Sequence, residues 1–255
     1  MRFAVLASGS SGNAFVVENK DKIYLFDAGI SCKQIFLRME RLGLNPEKLD
    51  SIFISHEHSD HIRGVDVLAK KTDAEIYISR KTFLNSSLQL DPEKINFFKP
   101  DEMIKKQNLE INLIKKKHDS IEPVSFFIQS NRNLGILTDI GSPCNNVIDA
   151  VKNSDSLILE SNHDVYMLKN GKYPPILQKR ILSDFGHLSN TQSSLLTLEH
   201  AKRRLHNLVL GHLSLNNNTE TLAYNNMAST IKHRKFFFPN LYVSNRERPS
   251  SLFRV

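Results

Sequence analysis

The sequence predicts an α/β protein, and two patterns along the chain indicate this class. Helix-like stretches begin with recognisable start signals, at Asn45-Pro46-Glu47 before Lys48–Leu49 and at Ser189-Asn190-Thr191 before Gln192–Leu205. Between these stretches, short apolar or alternating runs bounded by turn residues are typical of strands. The runs are Phe3–Leu6, Ile23–Phe26, Ile52–Ile54, Ile76–Ile78, Leu109–Ile114, Val124–Ile128, Leu134–Leu137, Leu157–Leu159, Leu208–Leu210 and Tyr242–Val243.

Length and composition predict one globular domain spanning residues 1–255. The chain has 255 residues, 40% of them hydrophobic, which is ample for a packed core, and no linker, repeat or low-complexity tract divides it. No apolar run approaches the roughly 20 residues of a membrane-spanning helix, and MRFAVLASGSSGNAFVV meets polar residues too early for a secretory signal. We therefore expect a cytoplasmic protein with no membrane partner.

Cys32 and Cys144 are too isolated in sequence to suggest a disulfide framework or a thiolate zinc site.

The net charge of +7 is compatible with a polyanionic partner, although many basic enzymes have none. Basic residues cluster at Lys105-Lys106, Lys115–Lys117, Lys202–Arg204 and Lys232–Lys235. Lys117 directly precedes a candidate metal-binding histidine, so we expect it to contact phosphate. The other clusters are interpreted as solvated faces.

Six strand-like runs each end within a few residues of a side chain that binds metal or moves protons. Strand ends on one edge of a sheet are where α/β proteins place ligand sites. Any one of these side chains is equally explained as a turn residue, but six such placements favour a functional site. The side chains are Asp27, His56, His118, Asp139, Glu160 with His163, and His212.

The most specific pattern is His56-Glu57-His58-Ser59-Asp60-His61, directly after the predicted strand Ser51–Ser55. Imidazole and carboxylate ligands at this density suit Zn²⁺ or Mn²⁺. A polar surface loop or an accidental histidine cluster is the alternative. Because the pattern is internal and follows a strand expected to be buried, we interpret it as a metal site.

The HxHxDH pattern resembles the signature of the metallo-β-lactamase superfamily. The resemblance covers nearly the whole chain and implies a four-layer αβ/βα sandwich with two divalent metal ions, Zn or Mn, on one edge. It implies that Asp27, in LFDAG, is a buried residue that orients the histidine loop. It also implies that one metal binds His56, His58 and His118, the other binds Asp60, His61 and His212, and Asp139 bridges them. We expect Asp60 to take part in catalysis as well as to bind a metal.

A carboxylate at Asp139 favours phosphodiester cleavage over lactam cleavage. The family members that open β-lactams commonly have a cysteine ligand at this point, whereas a bridging carboxylate favours two close metals. Two metals roughly 3.5–4 Å apart stabilise the entering and leaving oxygens of an in-line displacement at phosphorus. The alternative for Asp139 is a helix N-cap ahead of Gly141-Ser142-Pro143.

Four further segments resemble the YycJ/WalJ branch of this superfamily, bacterial proteins regarded as 5′→3′ DNA exonucleases: LASGSSGN (6–13), LESNHD (159–164), FGHLSN (185–190) and LGHLSLNNN (210–218). Glu160 and His187 are also similar to the carboxylate–histidine pair of tRNA 3′-processing endonucleases. That likeness implies that His187 is the general acid and that Glu160 orients it and keeps it protonated.

His163 departs from the pattern of the tRNA enzymes, whose His-Glu-Ala-Thr is replaced here by Glu160-Ser161-Asn162-His163. Three readings of His163 stay open: a phosphate contact, a replacement for His187 as the acid, and a loop cap.

The loop Ser8–Asn13 also has two readings, a phosphate cradle or a tight turn that closes the first hairpin. Ser11 and Asn13 are therefore secondary candidates for lining the site.

These observations predict a two-metal phosphodiesterase acting on nucleic acid, most specifically a DNA exonuclease. A metal-bridging hydroxide would attack phosphorus, and His187 would protonate the leaving oxygen. The segment between Asp139 and His212 leaves little room for a large inserted domain, so the core surface, a short loop or another subunit, as in a homodimer, must hold the substrate. The alternatives are a small-molecule hydrolase of cyclic phosphodiesters or thioesters and a non-catalytic metal-binding regulatory protein.

Overall fold

The computed structural model describes all residues, 1–255, and contains strands and helices in alternation. The strands are β1 (Arg2–Ala7), β2 (Ala14–Asn19), β3 (Lys22–Phe26), β4 (Leu49–Phe53), β5 (Glu75–Ser79), β6 (Ile95–Phe98), β7 (Met103–Lys106), β8 (Leu109–Lys115), β9 (Val124–Gln129), β10 (Leu134–Leu137), β11 (Ser156–Glu160), β12 (Asn207–Gly211), β13 (Asn240–Val243) and β14 (Phe253–Arg254). The helices are α1 (Cys32–Arg41), α2 (Ser59–Ile62), α3 (Val65–Lys71), α4 (Arg80–Leu84), α5 (Asn145–Asn153), α6 (Val165–Asn170), α7 (Pro175–Ile181), α8 (Asn190–His200) and α9 (Glu220–Ile231).

The chain forms two compact units, each built around one seven-stranded sheet. Unit 1 contains Met1–Glu102, Ser120–Val124 and Asn245–Arg254. Unit 2 contains Met103–Asp119, Ser125–Ser244 and Val255. The organisation of residues 1–255 as a single domain stays a prediction.

In unit 1 the strand order is β14-β1-β2-β3-β4-β5-β6. β1, β2 and β3 form an antiparallel meander, and β3 to β6 pair in parallel. The parallel strands β3 and β4 are almost wholly buried, as expected for strands covered on both faces. Their carboxyl ends lead into Asp27 and the histidine loop.

In unit 2 the strand order is β13-β12-β11-β10-β9-β8-β7. β10 to β13 pair in parallel, and β11 and β12 are buried along their whole length. The loops after β10, β11 and β12 therefore leave the same edge of this sheet. Asp139 and His212 lie just beyond the ends of β10 and β12, and Glu160 is the last residue of β11.

The structure confirms each predicted strand, with changes at the ends. The strand before the histidine loop ends at Phe53, earlier than expected, so His56 follows it after a short loop. Four strands were not predicted: β2, β6, β7 and β14. β2 begins with the apolar run 14–17 and forms the hairpin with β1, and β14 has only two residues, too few for a periodic signal.

Two helix predictions need correction. Asn45 caps a single 3₁₀ turn, Pro46–Lys48, because the chain enters β4 at Leu49. Ser189 does begin a helix, with a reciprocal capping box to Gln192, but α8 ends at His200 rather than Leu205. Ala201 and Leu205 are buried in the core beneath the turn into β12. None of the helices has the length and apolar character required to cross a membrane.

Candidate metal centre

The histidine loop of unit 1 connects β4 to the short helix α2 and brings its imidazoles together. His56 and His61 are fully buried, and His58 is half-buried. His56 Nε2 lies 3.1 Å from His58 Nδ1. The His56 and His61 ring centroids are 4.1 Å apart. The predicted cluster is therefore formed locally.

Asp27, directly after β3, is the buried carboxylate that holds this loop. Its Oδ1 accepts the backbone N–H of Ser55 at 2.8 Å. Its Oδ2 accepts the Ser55 hydroxyl at 2.8 Å and the Nδ1–H of His61 at 2.7 Å. The expected orienting role of Asp27 agrees with these contacts.

This network also fixes the tautomers of two histidines. The Ser55 hydroxyl donates to Asp27, so its oxygen accepts from His56 Nδ1, which lies 2.8 Å away. His61 Nδ1 donates to the same carboxylate. Nε2 is therefore the nitrogen with the lone pair in both His56 and His61, which is the form that binds a metal.

The Ser8–Asn13 loop is a tight turn at the end of the β1–β2 hairpin, with Gly12 N donating to Gly9 O at 2.9 Å. Asn13 is fully buried, and its Nδ2 lies 3.1 Å from both Asp60 Oδ2 and His61 Nε2. These contacts favour a role for Asn13 in positioning the histidine loop rather than in contacting substrate. Ser11 is exposed.

Gly29 shows how tightly this region packs. A Cβ at Gly29 would lie 1.6 Å from the backbone oxygen of Asp60, and Gly29 N donates to Asn13 O at 2.7 Å. Only glycine allows the β3–α1 connection to approach the histidine loop this closely.

In unit 2, four side chains form a second group of candidate ligands. One ligand atom from each of Asp139, Glu160, His187 and His212 lies within 4.8 Å of the others. His212 Nδ1 lies 3.1 Å from Asp139 Oδ1. His118 belongs beside them, because its Nε2 lies 3.9 Å from Asp139 Oδ1. His118 Nδ1 donates to Gly186 O at 3.2 Å, which leaves the Nε2 lone pair for a ligand.

Glu160 has the contacts expected of a residue that orients another. Its Oε2 accepts the backbone N–H groups of Ile140 at 2.8 Å and Leu188 at 3.0 Å. Its Oε1 accepts His187 Nδ1–H at 2.8 Å. Burial disfavours the charged imidazole, but the carboxylates of Glu160 and Asp139 offset this effect and raise the pKa of His187 above its ordinary value. In its protonated form the ring donates Nδ1–H to Glu160 and offers Nε2–H as a second donor.

Three site residues have left-handed backbone conformations: Asp27 (φ 59°), Asp139 (φ 54°) and His212 (φ 53°). Each stands one or two residues beyond a strand end. Asp and His tolerate this region better than most residues, and strained conformations cluster at functional sites. The N-cap alternative for Asp139 is wrong, because α5 begins at Asn145 with Cys144 as its cap.

His163 is buried and forms an isolated bridge with Ser189. Its Nδ1 lies 3.3 Å from Asn162 Oδ1, and its Nε2 has no hydrogen-bond partner. Burial, partly countered by Glu160, lowers the pKa of His163 to about 4, so the ring is neutral near pH 7. Of the three readings of His163, these contacts favour the loop cap.

Lys117 is exposed, whereas its neighbour Lys116 is buried and donates to Thr138 O at 2.7 Å.

Three positioning residues were not singled out in the sequence. Ser55 bridges Asp27 and His56 by hydrogen bonds, and Asp119 donates its backbone N–H to Phe185 O at 3.0 Å, beside the carbonyl of Gly186 that holds His118. Asn162 donates to the backbone oxygen of His212 at 2.9 Å. Ser55 and Asp119 each adjoin a predicted ligand, a signal that could have identified them. Nothing in the sequence relates Asn162 to His212, because the contact depends on strand pairing.

Both groups fit divalent metals. Two nitrogens bonded at about 2.0–2.1 Å to one tetrahedral zinc lie roughly 3.3 Å apart, close to the 3.1 Å between His56 and His58. In unit 2, Asp139 is 1% exposed and lies 3.1 Å from His212 Nδ1 and 3.9 Å from His118 Nε2, so a cation among these three side chains would compensate a buried carboxylate. Imidazole and carboxylate donors suit Zn²⁺ and Mn²⁺ alike.

Comparison with known proteins agrees with this chemistry. Residues 7–109 match the family model described as "Metallo-beta-lactamase superfamily". The chain is 36% identical to "Exodeoxyribonuclease WalJ" of Streptococcus pneumoniae over 236 residues, which cover 90% of this chain and 88% of that protein. It is 34% identical to "Exodeoxyribonuclease YycJ" of Bacillus anthracis over 242 residues, which cover 92% and 91%.

A solved structure confirms the fold class. The metallo-β-lactamase fold protein YhfI of Bacillus subtilis superposes with a TM-score of 0.70 at 17% identity, and the match covers 98% of both chains. A sequence identity of 17% does not support a shared function, but the similarity in fold covers 98% of this chain. With the histidine loop and the two relatives, it shows that this chain belongs to the YycJ/WalJ branch of the metallo-β-lactamase superfamily.

Proposed function

We propose that this protein is a metal-dependent nuclease that hydrolyses phosphodiester bonds in DNA as an exodeoxyribonuclease. The observation that carries the proposal is the Glu160–His187 pair beside Asp139 and His212. A buried carboxylate that orients an imidazole with a raised pKa is the arrangement needed to protonate a departing alkoxide. The two relatives named exodeoxyribonucleases support DNA as the substrate.

The proposal assigns two divalent ions, Zn or Mn, to the ligand pattern of the family. His56, His58 and His118 would hold one ion, Asp60, His61 and His212 would hold the other, and Asp139 would bridge them. When bound, such a pair supplies an activated water nucleophile and neutralises charge on the phosphoryl oxygens. The tautomers of His56, His61 and His118 support this assignment, because Nδ1 of each ring donates to a protein acceptor and Nε2 therefore carries the lone pair of the neutral ring.

The chain's own residues have distinct roles in this proposal. Asp27 and Ser55 keep His56 and His61 in one tautomer and orientation. Asp60 holds a metal and contributes to catalysis, and its carboxylate is in turn positioned by Asn13. His187, with its ring 21% exposed, donates its Nε2 proton to the leaving oxygen, and Glu160 stabilises the imidazolium.

Contacts with the DNA backbone are assigned to exposed residues. Lys117 and Ser11 are both exposed, and each adjoins a segment that carries site residues. A lysine that contacts phosphate contributes affinity but little sequence preference. The proposal includes a cytoplasmic location, where the DNA substrate would be found.

The test is to incubate the purified protein with end-labelled single- and double-stranded DNA and RNA, with Mn²⁺ or Zn²⁺ added. We expect stepwise shortening of DNA from one end, which chelation abolishes, and binding that weakens steeply as salt rises. Cleavage of small esters alone, with little dependence on salt, would support the small-molecule hydrolase instead. No turnover of either substrate class by the metal-loaded protein would contradict an enzymatic function.

A further inference from the structure

An exposed aromatic ring borders the candidate proton donor of unit 2. Phe185 is 56% exposed, although phenylalanine is usually buried. Its backbone oxygen accepts Asp119 N at 3.0 Å, and the next residue, Gly186, accepts the His118 imidazole. His187 follows directly. The ring is therefore anchored by its backbone next to residues that the proposed function assigns to metal binding and proton transfer.

The close packing of this segment fixes the position of Phe185. A Cβ at Gly141, two residues beyond Asp139, would lie 2.5 Å from Phe185 Cα and 2.2 Å from Asp184 O. Gly141 N also donates to Lys117 O at 2.8 Å. The backbone of Phe185 is thus packed against the loop that carries Asp139, while its side chain faces solvent.

The chain leading to Phe185 is basic. Between Asp164 and Asp184 the sequence contains Lys169, Lys172, Lys179 and Arg180 and no acidic residue. All four are exposed, and Arg180 pairs with Asp119. Exposed cations combined with an exposed aromatic ring are what single-stranded nucleic acid requires, because the cations follow the phosphates and the ring stacks on a base.

We propose that Phe185 is a stacking platform for a base of single-stranded DNA adjacent to the phosphate being cleaved. This inference rests on the proposed nuclease function and adds to it a preference for an unpaired base at that position. A stacked base holds its phosphate at a fixed distance from His187, which favours cleavage at one position along the strand. Stacking tolerates every base, so no sequence preference follows.

Kinetics on two substrates tests the inference. One oligonucleotide carries all its bases, and a second has an abasic residue next to the scissile phosphate. On the complete strand, Phe185→Ala should raise KM by roughly 5–100-fold relative to wild type. On the abasic strand the two proteins should have equal KM, because the ring has no base to contact. Phe238→Ala, at a ring that is 85% exposed elsewhere in unit 2, should match wild type on both strands.

A fluorescence measurement gives a readout that does not depend on turnover. The chain contains six tyrosines but no tryptophan, so Phe185→Trp introduces a single indole that can be excited selectively at wavelengths where tyrosine does not absorb. A single strand with phosphorothioate linkages should quench its emission in the metal-loaded protein, whereas Phe238→Trp should stay bright. Equal melting temperatures of the variants and wild type would show that they are folded.

The outcomes separate this inference from the nuclease function. If wild type cleaves DNA but Phe185→Ala has the same KM and Phe185→Trp is not quenched, stacking is overturned and the nuclease stands. If wild type cleaves neither strand, the nuclease function fails, and quenching alone decides whether the ring binds a strand. A wild-type dimer that dissociates on Phe185→Ala would assign the ring to contacts between copies of this chain and overturn the proposal.

Discussion

The two groups of candidate ligands differ in how the chain assembles them. In unit 1 a six-residue segment, residues 56–61, supplies the whole group, and one carboxylate, Asp27, determines its geometry. In unit 2 the members are far apart in sequence: Asp139 and His212 follow β10 and β12, Glu160 ends β11, and His187 lies between α7 and α8. The first group is a local motif supported by one carboxylate. The second group requires three parallel strands to end at one edge and the α7–α8 connection to contact Glu160 there.

The difference extends to chemistry. In the unit 1 group, hydrogen bonds to Asp27 and Ser55 orient the His56 and His61 rings, and the group contains no candidate proton donor besides its ligands. The unit 2 group contains His187, whose pKa is raised by Glu160 and Asp139 once the opposing effect of burial is overcome. We therefore expect changes in unit 1 to act through metal binding, and changes in unit 2 to separate metal binding from proton transfer.

The largest expected effect in this comparison is that of His187→Ala. It should lower turnover of DNA by about 10²–10⁴, the loss typical of a missing general acid. Hydrolysis of bis-p-nitrophenyl phosphate should fall much less, since its leaving group needs little protonation. Metal content should stay near wild type. Rates on both substrates and elemental analysis of the same preparation measure these effects.

His200→Ala, at the end of α8, is a matched control and should change neither rate. The general-acid role would have to be abandoned if His187→Ala removed a metal or impaired both substrates equally. His163 would then be the next residue to replace.

A smaller effect is expected when Asp27 is replaced, because it touches the ligands rather than the metal. Asp27→Ala removes the acceptor of His61 Nδ1–H and of the Ser55 hydroxyl. Metal affinity should fall by about 10–100-fold, as is typical when the partner of a ligating histidine is lost. Titration with a competing chelator measures it. Asp21→Ala, at an exposed turn, serves as the control, and equal affinities in the two variants would show that Asp27 does not support the site.

The smallest expected effect concerns the Asp155–Arg204 pair, which supports the start of β11 in unit 2. Burial of Asp155 raises its pKa, but hydrogen bonds from Arg204 and Asn133 overcome this and hold the pKa below its ordinary value. Because Arg204 is 44% exposed, Arg204→Ala should cost only about 0.5–1 kcal/mol of unfolding free energy near pH 7.

The sign of the pH dependence follows from the direction of that shift. A carboxylate with a lowered pKa in the folded state stabilises the protein above its unfolded pKa, near 3.8, and loses this effect as pH falls through the folded pKa. The difference in unfolding free energy between wild type and Arg204→Ala should therefore be constant near neutral pH and become smaller below about pH 4. Urea unfolding at several pH values measures it, and a difference that grew with acid would contradict the assignment.

Local patterns explain how much of the molecule could be predicted. The histidine loop was identified because its residues are adjacent, and the strands were found because each is a short apolar run between turn residues. The start of α8 was found because Ser189-Asn190-Thr191 is a helix start signal, and the structure shows that Ser189 also forms a capping box with Gln192. Each of these signals lies within a few residues of the element that it specifies.

Features that depend on contacts between distant parts of the sequence were missed or predicted wrongly. β14 has two residues and exists only through pairing with β1. Asn13 was expected near substrate but is buried against Asp60 and His61, from a distant part of the sequence. The left-handed conformations of Asp139 and His212 likewise follow from the packing around the strand ends rather than from any pattern within the sequence.

Metal stoichiometry tests the central claim most directly, because that claim requires both groups to hold metal. Elemental analysis after reconstitution should give two ions per wild-type chain, and at most about one for His58→Ala in unit 1 or His212→Ala in unit 2. His200→Ala should retain both. Fewer than one ion per wild-type chain, or as much metal in His58→Ala as in wild type, would contradict the account.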